Sequence, residues 1–140
     1  MRPLDGITVL DLARVLAAPY ATMLLAEMGA SVIKVEQPGS GDEIRHYEPM
    51  VGGESAYGFT ANRSKKSITA NLRHPKAQAL IRDLAAGADV VVENFTPGTL
   101  QRFGLDYASL AAINPRIVFL SVTGFGQDGP YAERAGLDQI

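Results

Sequence analysis

The chain has 140 residues, enough for one domain with a core and too few for two ordinary ones. Thirteen Lys and Arg against fifteen Asp and Glu leave a formal charge of −2, and 46% apolar with 20% charged residues is the balance of a soluble globular protein. That balance excludes intrinsic disorder and leaves no basic excess of the kind that drives nonspecific nucleic-acid binding, and the lack of Cys excludes disulfides, thiolate nucleophiles and Cys-based metal sites.

Ile7 to Leu12 is short, apolar and rich in β-branched residues after Gly6, so it predicts a buried strand. Pro19 to Met28 then sets Met23, Leu24, Ala26 and Met28 at helical spacing, with Gly29 as the stop. The apolar stretch Val15 to Leu25 falls far short of the roughly 20 residues a membrane helix needs. Asp5, Asp11 and a strand precede it, unlike a secretory signal, so a cytoplasmic protein is expected. Ser31 to Glu36 is a second strand, which gives a strand, helix, strand unit of the length a right-handed parallel crossover requires.

Gln37 to Ala61 carries seven Gly and Pro residues without a sustained period and reads as an irregular excursion. Ser67 to Asn71 reads as a short strand, and a helix runs from Pro75 toward Gly87. Asp89 to Phe95 is the clearest strand of all. Pro97 to Phe103 and Tyr107 to Ile113 suggest two short helices, Arg116 to Val122 another strand, and Gly124 to Pro130 a mobile loop able to cover a ligand. Apolar strands alternating with helices predict an α/β fold, a Rossmann-like and mostly parallel sheet with helices on both faces.

Ligands of such sheets gather beyond the carboxyl ends of the strands. After the first strand, Ala13 to Pro19 lacks the Gly-x-Gly-x-x-Gly of a dinucleotide site, leaving Arg14 among small residues as a phosphate partner or a solvated loop cation. Gln37-Pro38-Gly39-Ser40-Gly41-Asp42 is a turn whose N–H groups could face an anion, although an ordinary turn is the better reading. The cations of Asn62 to Ser67, followed by Arg73, suit either a polyanionic ligand or a solvated face. After the strongest strand, Asn94, Phe95, a helix start and Arg102 converge where a nucleotide could stack on Phe95 and pair with Arg102; the alternative puts Phe95 in the core. No Ser/His/Asp set exists, and His46 and His74 are too far apart in the chain to suggest a metal centre.

Six segments together resemble family III coenzyme A transferases, the CaiB/BaiF family. They are Pro3 to Leu12, Met28 to Glu36, Pro38 to Asp42, Asn62 to Ser67, Val92 to Phe95 with Pro97-Gly98, and Ser121 to Gly126. The resemblance implies that residues 1–140 are the N-terminal part of a Rossmann-like coenzyme A-binding domain, the rest of the family's fold lying beyond them. It implies an interlocked homodimer, coenzyme A or acyl-CoA and a carboxylic acid as substrates, and no permanently bound cofactor, metal, nucleic acid or membrane. By similarity the CoA contacts fall on Arg14, Val15 and Ala17, on Ala70 and Arg73, and on Asn94, Phe95 and Arg102. Gln37 and Leu16 stand where formyl-CoA transferase has Arg and Gln, which speaks against oxalate or formate specificity.

Family transferases attack the acyl-CoA thioester with an Asp, form a mixed anhydride and then an aspartyl-CoA thioester, and so divide one hard exchange into easier covalent steps. By similarity that Asp lies beyond Ile140; Asp138 is not its counterpart, and residues 1–140 hold no catalytic residue. The racemase branch has an acid/base His at the position of Leu137, and Leu carries no proton, so a transferase is favoured over an acyl-CoA racemase. A CoA-binding module without catalysis is the other alternative.

Overall fold

The computed structural model describes residues 1–136. Five strands, β1 (Thr8–Asp11), β2 (Ser31–Glu36), β5 (Lys66–Thr69), β6 (Val90–Glu93) and β7 (Val118–Ser121), form one sheet in the order β5-β2-β1-β6-β7. Every pairing in it is parallel. The chain therefore builds outward from β1 in one direction, returns, and builds outward in the other. The reversal makes the junction of β1 and β6 a topological switch point.

Side-chain alternation divides the core into two layers. Leu10, Leu12, Val35 and Val91 face one way, onto Ile81 and Ala85 of α3 (Pro75–Ala86) and Leu110 of α4 (Tyr107–Ala111). Val9, Val32 and Val92 face the other way, onto Ala18 and Ala26 of α1 (Ala17–Glu27). Helices on both faces are thus present, and small residues on α1 let it lie close to the sheet. Gly29 ends α1 at φ +114, where a Cβ would meet Asp5 Oδ1 at 2.7 Å, so this stop admits only Gly without rearrangement. Pro75 opens α3 at its first turn, where a missing N–H costs nothing, and His74 caps it.

The stretch expected to be irregular, 37–61, is more ordered than its composition suggests. It holds a 3-10 turn (Glu43–His46), a hairpin of β3 (Met50–Val51) and β4 (Glu54–Ser55), and the start of α2 (Ala56–Asn62). Gly52 and Gly53, at φ +61 and +86, supply the hairpin turn. Ser55 accepts from Gly58 N at 3.1 Å and caps α2. Each piece is too short to show a period. Conversely, the helix expected over Pro97 to Phe103 is a run of turns ending in a 3-10 turn at Gln101–Phe103. None of the described helices is long and apolar enough to cross a membrane.

Candidate functional site

A cleft of about 550 Å³ opens at the carboxyl edge of the sheet. Four of the five strands deliver residues to it: Ala13 and Arg14 after β1, Glu36 from the end of β2 with Gln37 after it, Ala70 to Arg73 after the edge strand β5, and Phe95 after β6. This is where the parallel topology puts a ligand.

The loop leaving β1 is tied down at three successive amides. Ala13 N donates to Asp11 Oδ1 at 3.0 Å, Arg14 N to Asn94 Oδ1 at 2.8 Å, and Val15 N to Asp42 Oδ1 at 2.9 Å. In return Asn94 Nδ2 donates to Arg14 O at 2.8 Å, and Lys34 Nζ donates to Ala13 O at 2.9 Å. Val15 is held at φ 65, a left-handed conformation that is costly for a β-branched residue. The N–H groups of Ala13, Arg14 and Val15 are therefore spent inside the protein and not offered to a phosphate as in a glycine-rich dinucleotide site. Beside them, side-chain cations supply charge for an anion.

Two such side chains reach the cleft. The Arg14 guanidinium lies 4.7 Å from the centroid of the Phe95 ring, a cation–π arrangement, with the Glu43 carboxylate 3.9 Å away on the open side. Arg73 is exposed, and among the described residues nothing hydrogen-bonds or ion-pairs with its guanidinium. Arg102 stands just outside, exposed, its Nη2 3.4 Å from Oγ1 of Thr99, a residue of the cleft wall.

The carboxylates near the cleft are already engaged. Glu36 is buried, and both of its oxygens are saturated: Oε2 accepts from Arg45 Nε at 2.6 Å and Asp42 N at 2.9 Å, Oε1 from Arg45 Nη2 at 2.6 Å and Ser67 Oγ at 2.7 Å. Burial, the largest single influence, opposes its ionisation. The hydrogen bonds from Arg45, Ser67 and Asp42 N, with the charge of Arg45, together outweigh burial and bring the carboxyl down to about 2. An acid at the end of the second strand binds ribose in many nucleotide folds. Here its oxygens have no capacity left. The Asp42 side chain is 1% exposed and faces Lys34 Nζ at 2.8 Å, with Lys34 equally buried.

Of the eight expected contact residues, Arg14, Ala70, Arg73 and Phe95 line the cleft. Asn94 and Val15 brace its first loop, Ala17 begins α1 at an exposed position, and Arg102 borders the rim. Phe95 is half-buried, packing on the core as the alternative had it while still presenting a face to the cleft. No helix begins beside it. The cations of 62–67 do not reach the cleft: Lys65 turns inward to Asp11 Oδ2 at 2.9 Å, and Arg63 pairs with Glu27 at 3.1 Å. Asn71, Leu72, Thr99 and Phe103 also line the cleft, and only the return of β5 and β6 to one edge marks them. Leu137 and Asp138 lie outside the described residues.

The model of "CoA-transferase family III" matches residues 4–140. Over 141 aligned positions the chain is 50% identical to human "Succinyl-CoA:glutarate CoA-transferase", covering 100% of this chain and 32% of the human protein. It is 51% identical to "Succinate--glutarate CoA-transferase" of Agrobacterium fabrum, over 99% of this chain and 36% of that one. The crystal structure of a CaiB/BaiF family protein from Brucella suis superposes with a TM-score of 0.92 at 51% identity, covering 98% of this chain and 37% of that one. The chain thus spans about a third of the length of the proteins it matches.

Proposed function

The chain belongs to CoA-transferase family III, and on that premise we propose that its cleft binds the nucleotide end of coenzyme A in a protein that moves CoA between an acyl-CoA and a carboxylic acid. The observation that carries this reading is the convergence of Arg14, Arg73 and Phe95 on a cleft whose first loop spends the amides of Ala13, Arg14 and Val15 inside the protein. Adenine stacks beside the Arg14–Phe95 pair. The phosphates pair with Arg14, Arg73 and, at the rim, Arg102. Val15, Ala17, Ala70 and Asn94 complete the contacts by similarity.

The chemistry follows the family pattern. An Asp carboxylate outside residues 1–140 adds to the thioester carbonyl and expels the CoA thiolate, leaving a mixed anhydride. The thiolate attacks the aspartyl carbonyl and releases the donor acid, and the acceptor carboxylate then reverses both steps. Relatives named for succinyl-CoA and glutarate make a short dicarboxylate pair the first substrates to test. Homodimer formation, supported by exposed apolar surface at Val118 and Leu120 on the outer strand and Phe59 on α2, and a cytoplasmic location, supported by the Cys-free composition, belong to the same proposal.

The complete polypeptide as the cell makes it, mixed with succinyl-CoA and glutarate, is expected to yield glutaryl-CoA by mass spectrometry. No CoA binding at millimolar concentration would end the proposal. CoA binding without transfer to any dicarboxylate would favour the second reading, a binding module, which rests on the engagement of Glu36 and Asp42 elsewhere.

A further inference from the structure

Lys34 and Asp42 are both buried, and their charged atoms lie 2.8 Å apart directly beneath the cleft. Burying an ion pair in place of well-packed apolar residues usually brings little or no stability. What this pair does have is reach. Lys34 Nζ holds Ala13 O at 2.9 Å, and Asp42 Oδ1 holds Val15 N at 2.9 Å and Ile44 N at 3.2 Å. Asp42 N in turn donates to Glu36 Oε2 at 2.9 Å. The pair thus fastens the loop after β1 to the loop after β2, which carry Arg14 on one wall and Gln37, Gly41 and Glu43 on the other.

Val15 adds a second, independent observation. A Val at φ 65 is strained, and strain of this kind persists only where surrounding bonds over-determine the backbone. The bond from Val15 N to Asp42 supplies that constraint, and it sets the direction in which the preceding Arg14 side chain leaves the loop. The buried charge of Asp42 is in turn neutralised by Lys34.

We propose that Lys34 and Asp42 are a positioning pair for the nucleotide cleft, holding Val15 in its left-handed conformation so that Arg14 is presented to the phosphates of CoA. Neither side chain touches the ligand. The inference rests on the reading of the cleft as a CoA site and adds which buried residues set its affinity.

The test is calorimetric titration of the complete polypeptide with CoA, for the parent protein and for Lys34→Met/Asp42→Leu. The double substitution removes both charges together, so no unpaired ion is left in the core. A positioning role raises Kd by about tenfold or more with binding stoichiometry unchanged. A merely structural role lowers the stoichiometry, as less protein folds, with Kd unchanged, and that result overturns the inference. Should the double variant not fold, Asp42→Asn and Asp42→Ala decide between them. The Asn amide oxygen still accepts from Val15 N, so its Kd is expected within about threefold of the parent even as thermal stability falls, whereas Ala accepts nothing and is expected to raise Kd about tenfold. A tenfold rise for Asp42→Asn, or a Kd for Asp42→Ala equal to the parent's, overturns the inference. If the parent binds CoA and the double variant binds equally well, the positioning claim alone fails; if the parent does not bind, the functional reading fails and takes this one with it.

Discussion

The side-chain amide of Asn94 holds both main-chain polar groups of Arg14, eighty positions away, accepting from its N and donating to its O, each at 2.8 Å. It does so where strand order reverses between β1 and β6, so one residue closes the crevice that the topology opens. Each end of the Asn94 amide holds one bond to the loop, which leaves one N–H and one lone pair for the direct contact that similarity implies. Its larger effect on a ligand passes through the placement of Arg14.

Asn94→Ala removes both bonds and leaves Arg14 N and O to water. A loss of about 1–2 kcal/mol of folding stability is expected in urea denaturation, together with CoA binding weakened about tenfold in calorimetry. Unchanged CoA affinity in a folded variant would show that the amide is only a strut.

Arg73→Gln tests the phosphate assignment from the opposite side. Arg73 is exposed and unpaired among the described residues, so stability should stay within about 0.5 kcal/mol of the parent. CoA affinity should fall about tenfold at low salt, and its dependence on ionic strength should become shallower as one cation is lost. An identical salt dependence in parent and variant would remove Arg73 from the site.

Glu36 predicts how the fold fails in acid. Its carboxyl titrates at about 2 in the folded protein against an ordinary value of 4.5. The unfolded chain therefore binds the proton first. The stabilisation, on the order of 3 kcal/mol, is fully present above pH 4.5 and is lost as the pH falls from there toward 2. Urea midpoints measured across that window should fall steeply in the parent and more gently in Glu36→Gln, whose amide does not titrate. Parallel slopes in the two proteins would assign the acid sensitivity to other carboxyls.

Lys65 shows that a dense run of cations is not by itself a binding face. Its ammonium is buried and bonded to Asp11 Oδ2 at 2.9 Å, Pro19 O at 2.8 Å and Asn62 Oδ1 at 3.1 Å. Burial holds it below the usual lysine range, with Asp11 acting in the opposite direction. Lys65→Met leaves Asp11 buried without its counter-charge and should cost about 3–5 kcal/mol, whereas Lys65→Met/Asp11→Leu should recover much of the loss. Urea titration of the two variants checks the pair, and equal losses in both would refute a charge-based explanation.

The sequence by itself determined the strands at 8, 31, 90 and 118, the helix from Pro75 to the Gly87 stop, the α/β class and the family. Hydrophobic runs and glycine punctuation are local properties, so they survive in one dimension, and ordered motifs add a signature that chance rarely assembles. The hairpin and α2 inside 37–61 escaped notice because each is shorter than the window in which a period can be counted.

Only the tertiary structure decided which polar groups meet. Lys34 could have been a solvent cation, Asp42 a turn residue, Glu36 a ribose acceptor and Lys65 a phosphate partner. The parallel register that sets Asp11 beside Lys34, and Glu36 beside Thr69, turns two of the four inward and brings partners to them from distant loops. Charge type is written in the chain, but whether a charge is spent inside the fold or offered to a ligand depends on a pairing geometry that no local pattern contains.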